Sequence, residues 1–349
     1  MRSTAARVAV VAVGCLVLGE VVARLWLTAP SAQEPDDALG WAWRPHAHVA
    51  TYTEGGVSLT LNALGLNDDA VVETPSWRML VLGNSFVEAL QVRRADNFVE
   101  RAQQLLQERK PGLDIVNLGR SAMHAAHYPV VLSRAWPLLG GDAVVVTVGE
   151  GDLVNLLRAD IVTERDPSGA LTHVGFLPEA KDRMKALFGP ILSRSSVVTY
   201  LMRRVKPVFE GLANPFVKVE PVPPPDDLRD GPEATARLTW LLRSLRAALP
   251  PQVPLLVLDI PSLRYGLGGI ATRSAPHESA AYRTAAAQSG LDYLDAGPAL
   301  IFTYGATGQP GHGFPNLTIG HGHLNAHGHA AVAMALASWI DDQLARSAP

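Results

Sequence analysis

Three times between residues 79 and 149 a short, uninterrupted apolar run stops at a glycine-bearing turn. Met79-Leu80-Val81-Leu82 runs into Gly83-Asn84-Ser85, Ile115-Val116-Asn117-Leu118 into Gly119, and Val144-Val145-Val146-Thr147-Val148 into Gly149. Runs this short, rich in β-branched residues and without alternation, suit strands buried on both faces, as in a parallel sheet. Helix-length segments lie between them. The stretch from Phe86 to Arg109 sets Phe98, Ala102, Leu105 and Leu106 on one face, and Pro111-Gly112 stops it. Such alternation predicts an α/β fold, a doubly wound parallel sheet with right-handed crossovers. The rhythm breaks from Asp152 to Pro232, and Pro221-Val222-Pro223-Pro224-Pro225 there reads as a stiff connector. Residues 153–232 are therefore expected to be an insertion whose short helices cap a site. The rhythm returns with a helix from Glu233 to Leu249, a strand from Leu255 to Ile260 and a helix around Glu278 to Ser289. A short strand at Tyr293-Leu294 and a last helix from about Asn325 to Leu344 follow.

The chain has 349 residues, 48% of them hydrophobic and 18% charged, which is enough apolar material for a folded core. A net charge of −3 argues against a nucleic-acid partner, and a single cysteine, Cys15, excludes an internal disulfide and a thiolate zinc cage. Residues 1–30 differ in kind. Val8 to Gly19 carries no charge, and apolar character resumes to Leu27, about 20 residues in all, the span of a bilayer core. Glu20 and Arg24 stand at a helical pairing distance. Arg2 and Arg7 precede the run and Glu34, Asp36 and Asp37 follow it, so the expected arrangement is a single-pass inner-membrane anchor with the domain outside the cytoplasm. A signal peptide cleaved near Ala29-Pro30-Ser31 is the alternative. Residues 31–76 are expected to be an extended region, and 77–346 the domain proper.

Ligands of open parallel sheets gather where strands end. Here those ends carry Ser85, Gly119 and Gly149-Glu150-Gly151-Asp152, and His321-Gly322-His323-Leu324-Asn325 precedes the final helix. A serine at a strand-to-helix turn, glycine amides beside it and a late histidine are the parts of nucleophilic acyl transfer. A serine there also caps helices, which is the simpler explanation if it stood alone. A zinc reading of His312, His321, His323, His327 and His329 lacks an acidic or cysteine ligand nearby. His124 and His127 read as partly buried histidines on a helix, and Trp41, Trp43 and Tyr52 as residues packed against the sheet.

Taken in order, these blocks resemble the SGNH (GDSL-like) hydrolase superfamily in its membrane-anchored bacterial form. Gly83-Asn84-Ser85-Phe86 is similar to its nucleophile block, Asn117-Leu118-Gly119 to its second block and Gly149-Glu150-Gly151-Asp152 to its third. His323-Leu324-Asn325-Ala326-His327-Gly328-His329 is similar to its last, and Asn62-Ala63-Leu64-Gly65-Leu66-Asn67-Asp68 to a stretch ahead of the domain. The resemblance covers the chain from about Trp43 onward, least in the insertion. It implies a flavodoxin-like α/β/α domain without cofactor or metal. Ser85 would be the nucleophile, His323 the base, and the amides of Ser85 and Gly119 the oxyanion donors. The implied partner is an acylated small molecule or glycan, such as an O-acetylated carbohydrate. Three positions depart from the family pattern: Asn84 replaces an aspartate, Gly151 an asparagine that donates to the oxyanion, and His321 the aspartate that orients the catalytic histidine. Glu150, Asp152 or Asn155 would have to fill those roles. The readings that follow are an ester hydrolase, a catalytically impaired binding protein and an O-acyltransferase.

Overall fold

The computed structural model describes residues 2–22, 32–51, 54–158, 160–176, 195–197 and 231–346. The chain divides into two compact units, Met1–Arg44 with Pro178–Pro223, and Pro45–Leu177 with Pro224–Pro349.

In the first unit, helix α1 (Arg2–Val22) exposes Val10, Val11, Val13, Leu16 and Leu18. Among the described residues no helix is long and apolar enough to cross a membrane. Residues 23–27 of the expected anchor, Arg24 included, lie outside the described residues, as do the Ala29–Ser31 cleavage point, Tyr52 and the 221–225 connector. The Glu20 carboxylate accepts from Ser195 Oγ at 2.7 Å and from the Ser196 and Val197 amides at 2.8 and 3.2 Å. Strands β1 (Gln33–Asp36) and β2 (Gly40–Trp43) form an antiparallel hairpin with Trp41 and Trp43 edge to face at 5.0 Å. Both tryptophans are in β2. The region expected to be extended is a pair of hairpins, because β3 (His48–Ala50) and β4 (Ser58–Thr60) form another in the second unit.

The second unit is built on five parallel strands. In chain order its elements are β5 (Trp77–Gly83), α2 (Ser85–Glu88), α3 (Phe98–Gln107), β6 (Leu113–Gly119), α4 (Tyr128–Leu139), β7 (Ala143–Gly149) and α5 (Asp152–Asn155). Then come the hairpin β8 (Ile161–Arg165) and β9 (Leu171–Phe176), helix α6 (Pro232–Ala247) and strand β10 (Leu255–Ile260). The hairpin β11 (Leu263–Tyr265) and β12 (Ala271–Arg273), α7 (Pro276–Gln288), β13 (Asp292–Asp295), α8 (Gly297–Thr307) and α9 (Ala326–Arg346) complete it. The sheet order is β13-β10-β7-β5-β6, every pair parallel. The chain steps from β5 to β6 on one side and then returns past β5 to β7, so winding reverses there and the crevice opens at the carboxyl ends of β5 and β7. All residues of β5, β6 and β10 are buried, as continuous apolar runs require. One face of the sheet, with Met79, Val81, Ile115, Val145 and Leu258, packs under α3, α8 and α9 through Phe98, Leu106, Leu300, Val332 and Leu336. Alternate strand residues point the other way, and there α6 packs against both α4 and α7.

Two expectations are corrected. The helix from Phe86 to Arg109 is broken: α2 ends at Ala89, whose φ of 51° is left-handed, and α3 starts afresh at the Asn97 cap. Side-chain amides take the carbonyls that a continuing helix would use. Asn97 and Asn117 Nδ2 donate to Val87 O at 2.9 and 2.8 Å, and Asn67 Nδ2 to Glu88 O at 2.7 Å. His124 and His127 belong to a 3₁₀ turn ahead of α4 and are buried, and part of the expected insertion is the mostly exposed hairpin β8–β9, which buries Ile161 and Val174.

Candidate active site

Ser85 is the first residue of α2, directly beyond the carboxyl end of β5, with Asn84 as the helix cap: Asn84 Oδ1 accepts from the Phe86 amide at 2.9 Å. Such close seating of α2 on β6 depends on Gly119, where a Cβ would stand 2.3 Å from the Glu88 nitrogen. His323 comes from the loop that leads into α9. Its carbonyl accepts from Gly313 N at 2.9 Å, and Asn325 pins the loop by donating to Pro310 O and Gly313 O at 2.8 and 3.0 Å. The fold brings the two together, with His323 Nε2 2.8 Å from Ser85 Oγ.

The other ring nitrogen meets a residue that sequence reasoning missed. His323 Nδ1 lies 2.6 Å from Glu54 Oε2, and the His323 backbone amide donates to Glu54 Oε1 at 2.8 Å. Glu54 sits in the loop joining β3 to β4, 269 positions from His323. One carboxylate therefore grips both the main chain and the ring of the same histidine. An ionised carboxylate only accepts, so the proton belongs on Nδ1 and the Nε2 lone pair faces the serine hydroxyl. Gly322 makes room for this: its φ is 88°, and a Cβ would come 2.5 Å from Glu54 Oε1. The side chains of His323 and Glu54 are 26% and 14% exposed, so the relay is sheltered while the serine remains reachable.

The residues proposed to support the histidine are elsewhere. His321 is exposed and its amide bonds to Thr318 O at 3.3 Å; the left-handed turn at Gly322 carries its side chain away from the position Glu54 fills. Glu150 is exposed. Asp152 is buried behind the third turn, accepting from Gly149 N at 2.8 Å and from the Asn155 side chain. Burial, with Glu278 nearby, pushes the Asp152 carboxyl up to about 7. The Gly119 amide donates to Asn117 Oδ1 at 2.9 Å, and the Gly151 amide to Glu278 Oε2 at 2.8 Å. Of the other histidines, His312 Nδ1 pairs with the Tyr265 hydroxyl at 2.6 Å, and His329 Nδ1 accepts from the Phe98 amide at 3.2 Å, joining α9 to α3. Glu54 offers almost no sequence signal: it lies in a polar stretch without periodicity, and its only mark is the Gly55-Gly56 pair behind it.

No family model matches the sequence, and no curated protein does. Solved structures similar to this chain include LAE5, an alpha/beta hydrolase enzyme from the metagenome of Lake Arreo, Spain (15% identity, TM-score 0.42, covering 76% of this chain and 95% of that one). An acetyl xylan esterase from Geobacillus stearothermophilus is similar at 14% identity and TM-score 0.38, over 76% of this chain and 95% of the other. A two-domain esterase active on acetylated mannans is similar at 11% identity and TM-score 0.42, over 78% of this chain and 51% of that one. Likeness of this degree decides nothing about chemistry, which rests on the geometry at Ser85, His323 and Glu54.

Proposed function

We propose that the chain is a serine ester hydrolase of the SGNH type. The observation that carries this reading is the continuous relay from Ser85 Oγ through His323 to the Glu54 carboxylate, at 2.8 and 2.6 Å. As Ser85 Oγ attacks the acyl carbon, its proton passes to His323 Nε2 and the carbonyl electrons move onto oxygen. The imidazolium so formed is stabilised by Glu54, and it returns the proton to the departing alcohol as the ester bond breaks. Water then attacks the acyl-enzyme with His323 again as base, releasing the acid and Ser85. An orienting carboxylate is worth about 10⁴ in turnover in the serine proteases. With Glu54 at Nδ1, the departure at His321 does not weigh against catalysis, and the impaired-binder reading loses that support. Short acyl esters, and O-acetyl groups on carbohydrate in particular, are the substrate class the motif resemblance favours.

The test uses the purified full chain. A fluorophosphonate should label Ser85, and hydrolysis of an aryl acetate should vanish in Ser85→Ala while the melting temperature moves little, since one small turn side chain is lost. Turnover retained in that variant sinks the reading. Release of acetate from acetylated oligosaccharides checks the substrate class.

A further inference from the structure

We infer that the side-chain amide of Asn84 is a catalytic oxyanion donor, an inference that rests on the ester-hydrolase reading and completes it. The tetrahedral intermediate at Ser85 needs hydrogen-bond donors aimed at its oxygen, and such donors are the largest single contributor in acyl transfer. The strand-end amides that would supply them are engaged. Gly119 N donates to Asn117 Oδ1 at 2.9 Å, Arg120 N to Gly83 O at 3.0 Å, Gly149 N to Asp152 Oδ2 and Gly151 N to Glu278 Oε2, both at 2.8 Å. Within α2 the Phe86 amide is held by Asn84 Oδ1, and the Val87 and Glu88 amides by Asn84 O. Among the described residues, two donors adjacent in sequence to the nucleophile have no acceptor: the Ser85 amide, which as the first of its helix has no intrahelical acceptor, and Asn84 Nδ2.

The orientation of Asn84 is decided by chemistry. The Phe86 amide is a donor, so the Asn84 atom 2.9 Å from it is the oxygen, and the nitrogen faces the other way. Among the described residues Asn84 Nδ2 has no acceptor, and Asn84 is half-buried, next to the half-buried Ser85. An asparagine here can do what a carboxylate cannot, because it caps the helix with its oxygen and keeps two N–H bonds for developing negative charge. The donor missing at Gly151 has moved to the residue ahead of the nucleophile.

Asn84→Asp separates the two roles. Aspartate caps as well as asparagine, so the melting temperature should stay within a few degrees, but the donor is replaced by an anion. Turnover should fall about 10²–10³-fold with KM changed far less, the range for loss of one such donor. Affinity for an aryl trifluoromethyl ketone, whose serine adduct carries the same oxyanion, should fall by a similar factor. Asn84→Ser, which keeps the cap with a shorter arm, guards against an unforeseen charge effect and should also lose turnover. An active wild type with Asn84→Asp within about threefold of it, and an unchanged ketone affinity, overturns the donor role and leaves the hydrolase reading standing. A wild type that neither turns over esters nor is labelled at Ser85 overturns both.

Discussion

At His323 the geometry is that of a residue held from two sides by one acid. A carboxylate that only touched the ring would leave the loop free to carry the imidazole away. Here Glu54 also accepts the His323 amide at 2.8 Å, so ring orientation and loop position are coupled through a single side chain. Glu54→Gln keeps the volume but replaces the anion with a group that has one acceptor and one donor. Either the ring or the amide then faces an N–H, and the ring is driven toward the wrong tautomer. The expected outcome is a fall in kcat of about 10⁴ with Ser85 still present, measured on an aryl acetate against Ser85→Ala as blank. Turnover unchanged by this substitution would show that Glu54 is a bystander. The signal that could have pointed to Glu54 was absent from local sequence, because an acid in a loop is indistinguishable from any solvated acid until the chain folds back on it.

The element that delivers this acid is the β3–β4 hairpin, and its loop is fastened at several points. Thr51 Oγ1 donates to Leu90 O at 2.9 Å, and the Gly55 amide to Asn316 Oδ1 at 3.2 Å. Gly55 has φ of 84°, and a Cβ there would lie 2.0 Å from the Gln91 carbonyl oxygen. Gly55→Ala therefore has to lift the loop off the segment after α2 and take Glu54 with it. Turnover should drop toward that of Glu54→Gln. The double variant should be no worse than the more damaged single one, since both break the same contact. Fully multiplicative losses in kcat would mean that the hairpin acts by some route other than Glu54. The break between α2 and α3 belongs to this scale as well. The apolar spacing of Phe98, Ala102, Leu105 and Leu106 was legible as a helix face, but its start was not. Whether Asn97 caps a helix or sits inside one depends on Val87 O being taken by Asn97 and Asn117, a contact between distant segments.

Across the whole molecule, buried histidines make stability depend on pH. His329 is entirely enclosed, and burial, with Arg101 adding repulsion, holds it at about 3 against an ordinary 6.5. His312 and His127 are held at about 4, again chiefly by burial. Between such a folded value and 6.5 the unfolded chain binds a proton that the folded chain refuses. The contribution of His329 is thus complete above 6.5 and is lost as pH falls toward 3. His329→Gln retains an acceptor without titrating. At about pH 7.5 it should be less stable than wild type by roughly 1–3 kcal/mol. By about pH 5 that gap should narrow by about 2 kcal/mol, read by urea unfolding at the two pH values. A gap that does not change with pH would mean that His329 titrates alike in both states.

What the sequence determined by itself were the features that repeat locally. Uninterrupted β-branched runs this short, ending in glycine, suit buried parallel strands, because both faces of such a strand are covered and the run is too short for a buried helix. The order of the motif blocks set Ser85 at a strand end and His323 just ahead of the final helix. The partner on the far side of His323 was decided only by tertiary structure. His321 lies two positions from the histidine and looked like its neighbour, yet the left-handed turn at Gly322 sends it into solvent. Glu54 is distant in the chain and arrives because a glycine at 322 leaves space for its carboxylate and a glycine at 55 lets its loop lie on Gln91. The same holds for the amides of Gly119 and Gly151, whose acceptors, Asn117 and Glu278, follow from how turns and helices pack. Local propensity and patterning act over a few residues, whereas a hydrogen bond is specified by two atoms whose separation the whole fold sets.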